Sequence, residues 1–103
     1  MTDNFEQVKQ ALLNNRFSSR LRRDGNVDEQ ACQELMEDLT KLSTMWRSSR
    51  EVDKELAGWI LSTVLMVAGA EEAARRTSAP SSERLAVVLG DLYAISNACF
   101  ESS

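Results

Sequence analysis

Residues Arg50 to Arg76 read REVDKELAGWILSTVLMVAGAEEAARR, and the spacing of their apolar side chains decides the fold class. Placed at helical intervals, Val52, Leu56, Trp59, Ile60, Thr63, Met66, Val67, Ala70 and Ala74 fall on one broad side. A β-strand would instead alternate apolar and polar residues, and no such alternation occurs here. The stretch therefore predicts a helix over about 50–76 whose broad side packs against neighbours.

This helix carries a second apolar strip. Ala57, Leu61, Val64, Leu65 and Ala68 lie roughly 80–120° around the axis from the first side, bracketed by Lys54, Glu72 and Arg75. Gly58, Ser62 and Gly69 sit beside them and are small enough to let another backbone come close. Two readings follow. Either this is a central helix that its neighbours surround on most sides, or the strip is a homodimer or partner interface, apolar in the middle and charged at the rim.

Outward from this segment, three more helices are expected. Asp3 and Glu6 form a capping-box pattern ahead of Phe5, Val8, Leu12, Leu13 and Phe17, predicting a first helix to about Phe17 that frays towards Leu21. Asp24-Gly25-Asn26 is a turn signal, and Asn26 with Glu29 is a second capping box. Ala31, Cys32, Leu35, Met36, Leu39, Leu42 and Trp46 make one continuous stripe, with Glu34, Glu37, Asp38 and Lys41 opposite. Ser48 or Ser49 is placed to cap the next helix. Pro80 or Ser81 opens a last helix whose stripe is Leu85, Val88, Leu89, Leu92, Ile95 and Cys99, ending near Phe100. The expectation is an all-α fold: one helical domain over 1–103, a small antiparallel four-helix bundle that pairs as a dimer.

Composition narrows the function. The chain has 103 residues, 43% of them hydrophobic, which suits one folded domain and not a disordered tail. Twelve basic against sixteen acidic residues give a net charge of −4, opposite to a nucleic-acid footprint. The absence of histidine removes the usual neutral-pH base and the commonest metal ligand. No thiol–imidazole pair is possible, no Gly-x-Ser-x-Gly elbow occurs among the serines, and the four glycines stand singly, so no phosphate loop is present. Glu34 and Asp38 lie one helical turn apart, but carboxylates alone on a helix read as a solvated face. The chain is expected to be no enzyme and to need no cofactor or metal.

Cys32 and Cys99 both fall within apolar stripes and read as small core residues. The N-terminus has neither a basic start nor an apolar core, and the run from Ala57 to Ala70 is short for a bilayer span. These features predict a cytoplasmic protein with no membrane partner.

Arg16, Arg20, Arg22 and Arg23 put four positive charges around Phe17 and Leu21, followed from Asp24 to Ser43 by six acids against Lys41. The arginines suit a helix C-terminus. They equally suit a docking patch for an acidic protein surface, or pairing with the acids beside them.

Protein binding is the class left standing. In Ser19-Arg20-Leu21-Arg22-Arg23, in the helix from Leu56-Ala57-Gly58-Trp59-Ile60-Leu61 through Ala70, and in length, acidity and helical layout, the chain resembles the bacterial quorum-sensing antiactivators of the QslA type. The resemblance covers the whole chain loosely and rests on no specific motif. It implies a homodimer whose apolar helix surface engages a LuxR-type transcription regulator, preventing its dimerisation or DNA binding. Ala57, Leu61, Val64, Leu65 and Ala68 would then form the apolar centre, with Arg20, Arg22 and Arg23 as rim charge. An immunity protein neutralising a bacterial toxin and a secretion chaperone are the competing readings.

Overall fold

A computed structural model describes residues 2–47 and 52–100, and within them every regular element is a helix. α1 spans Thr2–Leu13, α2 Phe17–Asp24, α3 Glu29–Arg47, α4 Lys54–Arg76 and α5 Ser82–Phe100. Four of these are long, and α2 is a single short segment of 8 residues.

α2 is separate because the chain breaks where periodicity alone would carry it on. Leu12, Leu13, Phe17 and Leu21 keep helical spacing, yet the helix stops at Leu13. The Asn15 side chain explains the corner: its Oδ1 accepts the Phe17 N–H at 2.8 Å, and its Nδ2 donates to the Ala31 carbonyl at 2.9 Å. One amide thus starts α2 and ties the bend to α3. α2 then ends at Gly25, whose φ of 71° is the left-handed conformation that glycine adopts without strain, and whose N–H returns to the Leu21 carbonyl.

The other helix starts also differ from expectation. Asp28, not Asn26, caps α3, its Oδ1 accepting the Ala31 N–H at 3.0 Å. Asp53 caps α4 by accepting the Leu56 N–H at 2.9 Å, so that helix begins at Lys54 and not near Arg50. Ser48 and Ser49 lie outside the described residues, as does the side chain of Asp3. Pro80 stands in the turn just before α5, which is helical from Ser82 through Phe100, the last described residue.

Leu12, Phe17, Leu35, Leu39, Leu42, Leu56, Ile60, Val67, Leu85, Val88 and Leu92 are fully buried and form one core to which every helix contributes. α5 packs on both α3 and α4; α1 lies on α3 and, more lightly, on α4; α2 touches α3 and α4. Consecutive helices α3 and α4 are not neighbours but sit across the core from each other.

The contacts between α3 and α5 fix their direction. Arg84, near the start of α5, pairs with Glu29 at the start of α3 at 2.6 Å. Cys99 donates to the Leu39 carbonyl at 3.5 Å, and the rings of Trp46 and Phe100, late in the two helices, meet tilted at 44° with centroids 5.8 Å apart. The two helices run parallel. This corrects the expected antiparallel bundle at one pair of neighbours: α3 and α5 are neighbours in space but not in sequence, and the diagonal placement of α4 is what allows it.

Candidate functional site

α4 buries one side and leaves part of the other uncovered. Leu56, Ile60, Thr63 and Val67 of the broad apolar side are buried, as is Val64, whereas Val52, placed on that side by its spacing, lies ahead of the helix and is 43% exposed. Trp59, Met66, Ala70 and Ala74 pack half-buried against the same core. The opposite side is open. Leu61 is 57% exposed and Leu65 71%, far beyond what a submerged helix would show. The reading of α4 as a helix enclosed by its neighbours is thereby corrected.

The five strip residues do not share one fate. Leu61 and Leu65 face solvent, Ala57 and Ala68 are half-buried at their edge, and Val64 turns inward with 7% exposure. Val64 leaves the candidate interface, since a side chain already packed in the core has almost no surface to offer a partner. Its place on the outer face is taken by Gly58, Ser62 and Gly69, all exposed.

No charged residue occurs between Leu56 and Ala70, while Lys54 and Glu55 precede this stretch and Glu71, Glu72, Arg75 and Arg76 follow it. Near the C-terminal end, Arg76 binds Glu72 at 2.7 Å and Arg75 approaches Glu71 at 3.5 Å. The run counted as too short for a bilayer belongs to a 23-residue helix that by length and composition alone is sufficient to span one, with 28% of its apolar window buried inside the fold. Its apolarity is spent on two surfaces, one inside the fold and one outside.

The arginines of α2 stand apart from this strip. α2 meets α4 where Asp24, Gly25 and Asn26 line a groove with Ala73, Ala74 and Thr77, beyond Ala68. Arg20 pairs with Asp24 at 3.4 Å and reaches Asp28 at 3.9 Å, and Arg23 pairs with Asp24 at 3.3 Å. The neighbouring acids thus absorb part of the positive charge, whereas Arg16 and Arg22 have no ion-pair partner among the described residues. Lys54, Glu72 and Arg75, which the helical spacing placed around the strip on α4 itself, are all exposed.

Both cysteines are buried and free. Burial pushes the Cys99 thiol up to about 11 and raises that of Cys32 as well, which keeps both in the weakly nucleophilic thiol form. Beside Cys32, the forked pairing of Arg84 with both Glu29 oxygens holds the Glu29 carboxyl below its ordinary range. Asp38 is raised, chiefly by desolvation, and Glu34 stays exposed. Among the described residues, no group of three or more cysteine or acidic side chains is placed to hold a metal ion.

Elsewhere the exposed large apolar side chains are Val52, Val87, Tyr93 and Phe100, three of them on α5. Comparison with protein-family models, characterised proteins and solved structures finds no match.

Proposed function

We propose that this protein acts by binding other proteins and not by catalysis, and that the outer face of α4 is its contact surface. One observation carries the reading: Leu61 and Leu65 project into solvent from a charge-free stretch of a helix whose other side is anchored in the core. Exposed apolar area flanked by charge is the common anatomy of a protein-binding patch. The arginines of α2, with Arg20, Arg22 and Arg23 exposed, supply positive charge for an acidic partner surface.

The specific form of this proposal is an antiactivator working in the cytoplasm: a homodimeric helical protein that holds a LuxR-type regulator and keeps it from dimerising or from binding DNA. It draws support from the small all-helical fold, from the exposed apolar face of α4 and, separately, from the exposed arginines of α2. The test is co-elution of the purified protein with a LuxR-type regulator from the same source, together with the regulator's binding to its DNA site. Co-elution and loss of DNA binding are expected with the wild-type chain and not with Leu65→Glu. A regulator that elutes alone, or that is held equally well by the variant, removes the reading. Co-purification of a toxin instead would establish the immunity alternative.

A further inference from the structure

The outer face of α4 is complementary to itself. Lys54, Gly58, Leu61, Leu65, Ala68 and Glu72 follow one another at intervals of four, three, four, three and four residues, the spacing of a coiled-coil seam. At 3.6 residues per turn they stay within an arc of about 80°. Most buried side chains of α4 point the other way, and of the seam residues only Ala68, half-buried beside Val64, is partly covered by the fold's own packing.

From this we infer that two copies of the chain pair through α4 in antiparallel register. A two-fold axis level with Thr63 exchanges Lys54 with Glu72, Gly58 with Ala68 and Leu61 with Leu65. The pairing is isologous, each contact occurring twice. Leucine meets leucine at the centre, glycine meets alanine one layer out, and lysine meets glutamate at both ends. Parallel pairing would instead set Lys54 against Lys54 and Glu72 against Glu72, which like-charge repulsion disfavours. Lys54 and Glu72 thus favour a second copy in antiparallel register, the partner's Lys54 sharing a carboxylate that also accepts from Arg76 of its own helix at 2.7 Å.

Gly58 fits this pairing without proving it unique: like Gly69 and Gly90 it is exposed within a helix, and a Cβ there would meet nothing within 4 Å. A second backbone crossing at the Gly58–Ala68 layer has a use for it, because two small residues let the helices close on the leucine layers between them.

This inference rests on α4's outer face being a protein-contact surface: in the free protein a second copy covers that face, and a regulator that docks there displaces it.

The experiment uses the purified full chain. A carbodiimide condenses an amine with a carboxylate it touches, and Lys54 and Glu72 of one helix are about 27 Å apart along its axis. A Lys54–Glu72 cross-linked peptide can therefore form only between copies, and it is expected in the dimer band. Sedimentation should give twice the chain mass. Lys54→Glu and Glu72→Lys should each weaken the dimer by about tenfold at low salt, and the doubly swapped chain should return to within about twofold of wild type. Leu65→Glu should be monomeric with unchanged helix content. A monomeric wild type, a dimer lacking the cross-link, a double swap as weak as the singles, or a chain that partitions into phosphatidylcholine vesicles instead of dimerising overturns the proposal. These readouts involve no regulator, so failure here and failure of regulator binding are separate results.

Discussion

Lys9 and Asp53, 44 positions apart, meet at 2.9 Å where α1 passes the start of α4. Asp53 uses one oxygen for this contact and the other for the Leu56 N–H, so the residue that begins α4 also fastens it to α1. Lys9 has a second partner in Glu55 at 3.1 Å. This acidic pair of partners raises the Lys9 pKa above its ordinary value.

Asp53→Ala should cost about 1–2 kcal/mol, the value of a helix cap, read as a lower urea midpoint at pH 7. The pH dependence has a definite sign. The Leu56 N–H first, and then Lys9, hold the Asp53 carboxyl below its ordinary range. Its stabilisation is complete above the unfolded value of about 3.9 and fades as pH falls through the lower folded value. Wild type and variant should therefore differ fully at pH 6 and converge in acid, below about pH 4. A gap that stays constant into strong acid would show that Asp53 is not ionised in the fold.

Asn15→Ala removes both bonds of the α1–α2 corner and should destabilise the fold by roughly 1–3 kcal/mol. Asn15→Asp keeps the acceptor for the Phe17 N–H but sets an anion against the Ala31 carbonyl, so it should recover part of the loss at most. Equal stability of wild type and Asn15→Ala in urea would mean that apolar packing of Phe17 and Leu21 alone holds the corner.

That corner also shows where sequence reading stops. The stripes of α3 and α5, the turn at Gly25 and the end of α4 are local patterns, and all were legible. The break after Leu13 was not, because the bond that makes it comes from Ala31, on another helix. Each misplaced cap fell in a run with several candidate oxygens, where only the folded path selects Asp28 over Asn26 or Asp53 over the serines. The parallel course of α3 and α5 leaves no local trace at all. On α4 the wheel found the second strip but grouped Val64 with Leu61, though neighbouring helices bury one and leave the other in water.

Ser96 is buried on α5, and its hydroxyl has no hydrogen-bond partner among the described residues. A buried hydroxyl left unsatisfied is costly, so Ser96→Ala should raise stability by about 1 kcal/mol, visible as an upward shift of the thermal midpoint. A loss of stability would show instead that the hydroxyl is bonded in solution.

Cys32 and Cys99 should resist thiol reagents as long as the chain is folded. Desolvation raises both thiols, Cys99 to about 11, so at pH 8 the reactive thiolate is scarce as well as shielded. Labelling by a disulfide reagent at pH 8 should be slow in buffer and complete, at two equivalents per chain, in concentrated urea. The native rate should follow the fraction of open molecules, so Asn15→Ala, which destabilises the fold without touching either thiol, should accelerate it in proportion to its loss of stability. Fast native labelling of either cysteine in the wild-type chain would show a thiolate held by its surroundings and would reopen the question of a nucleophile in this fold.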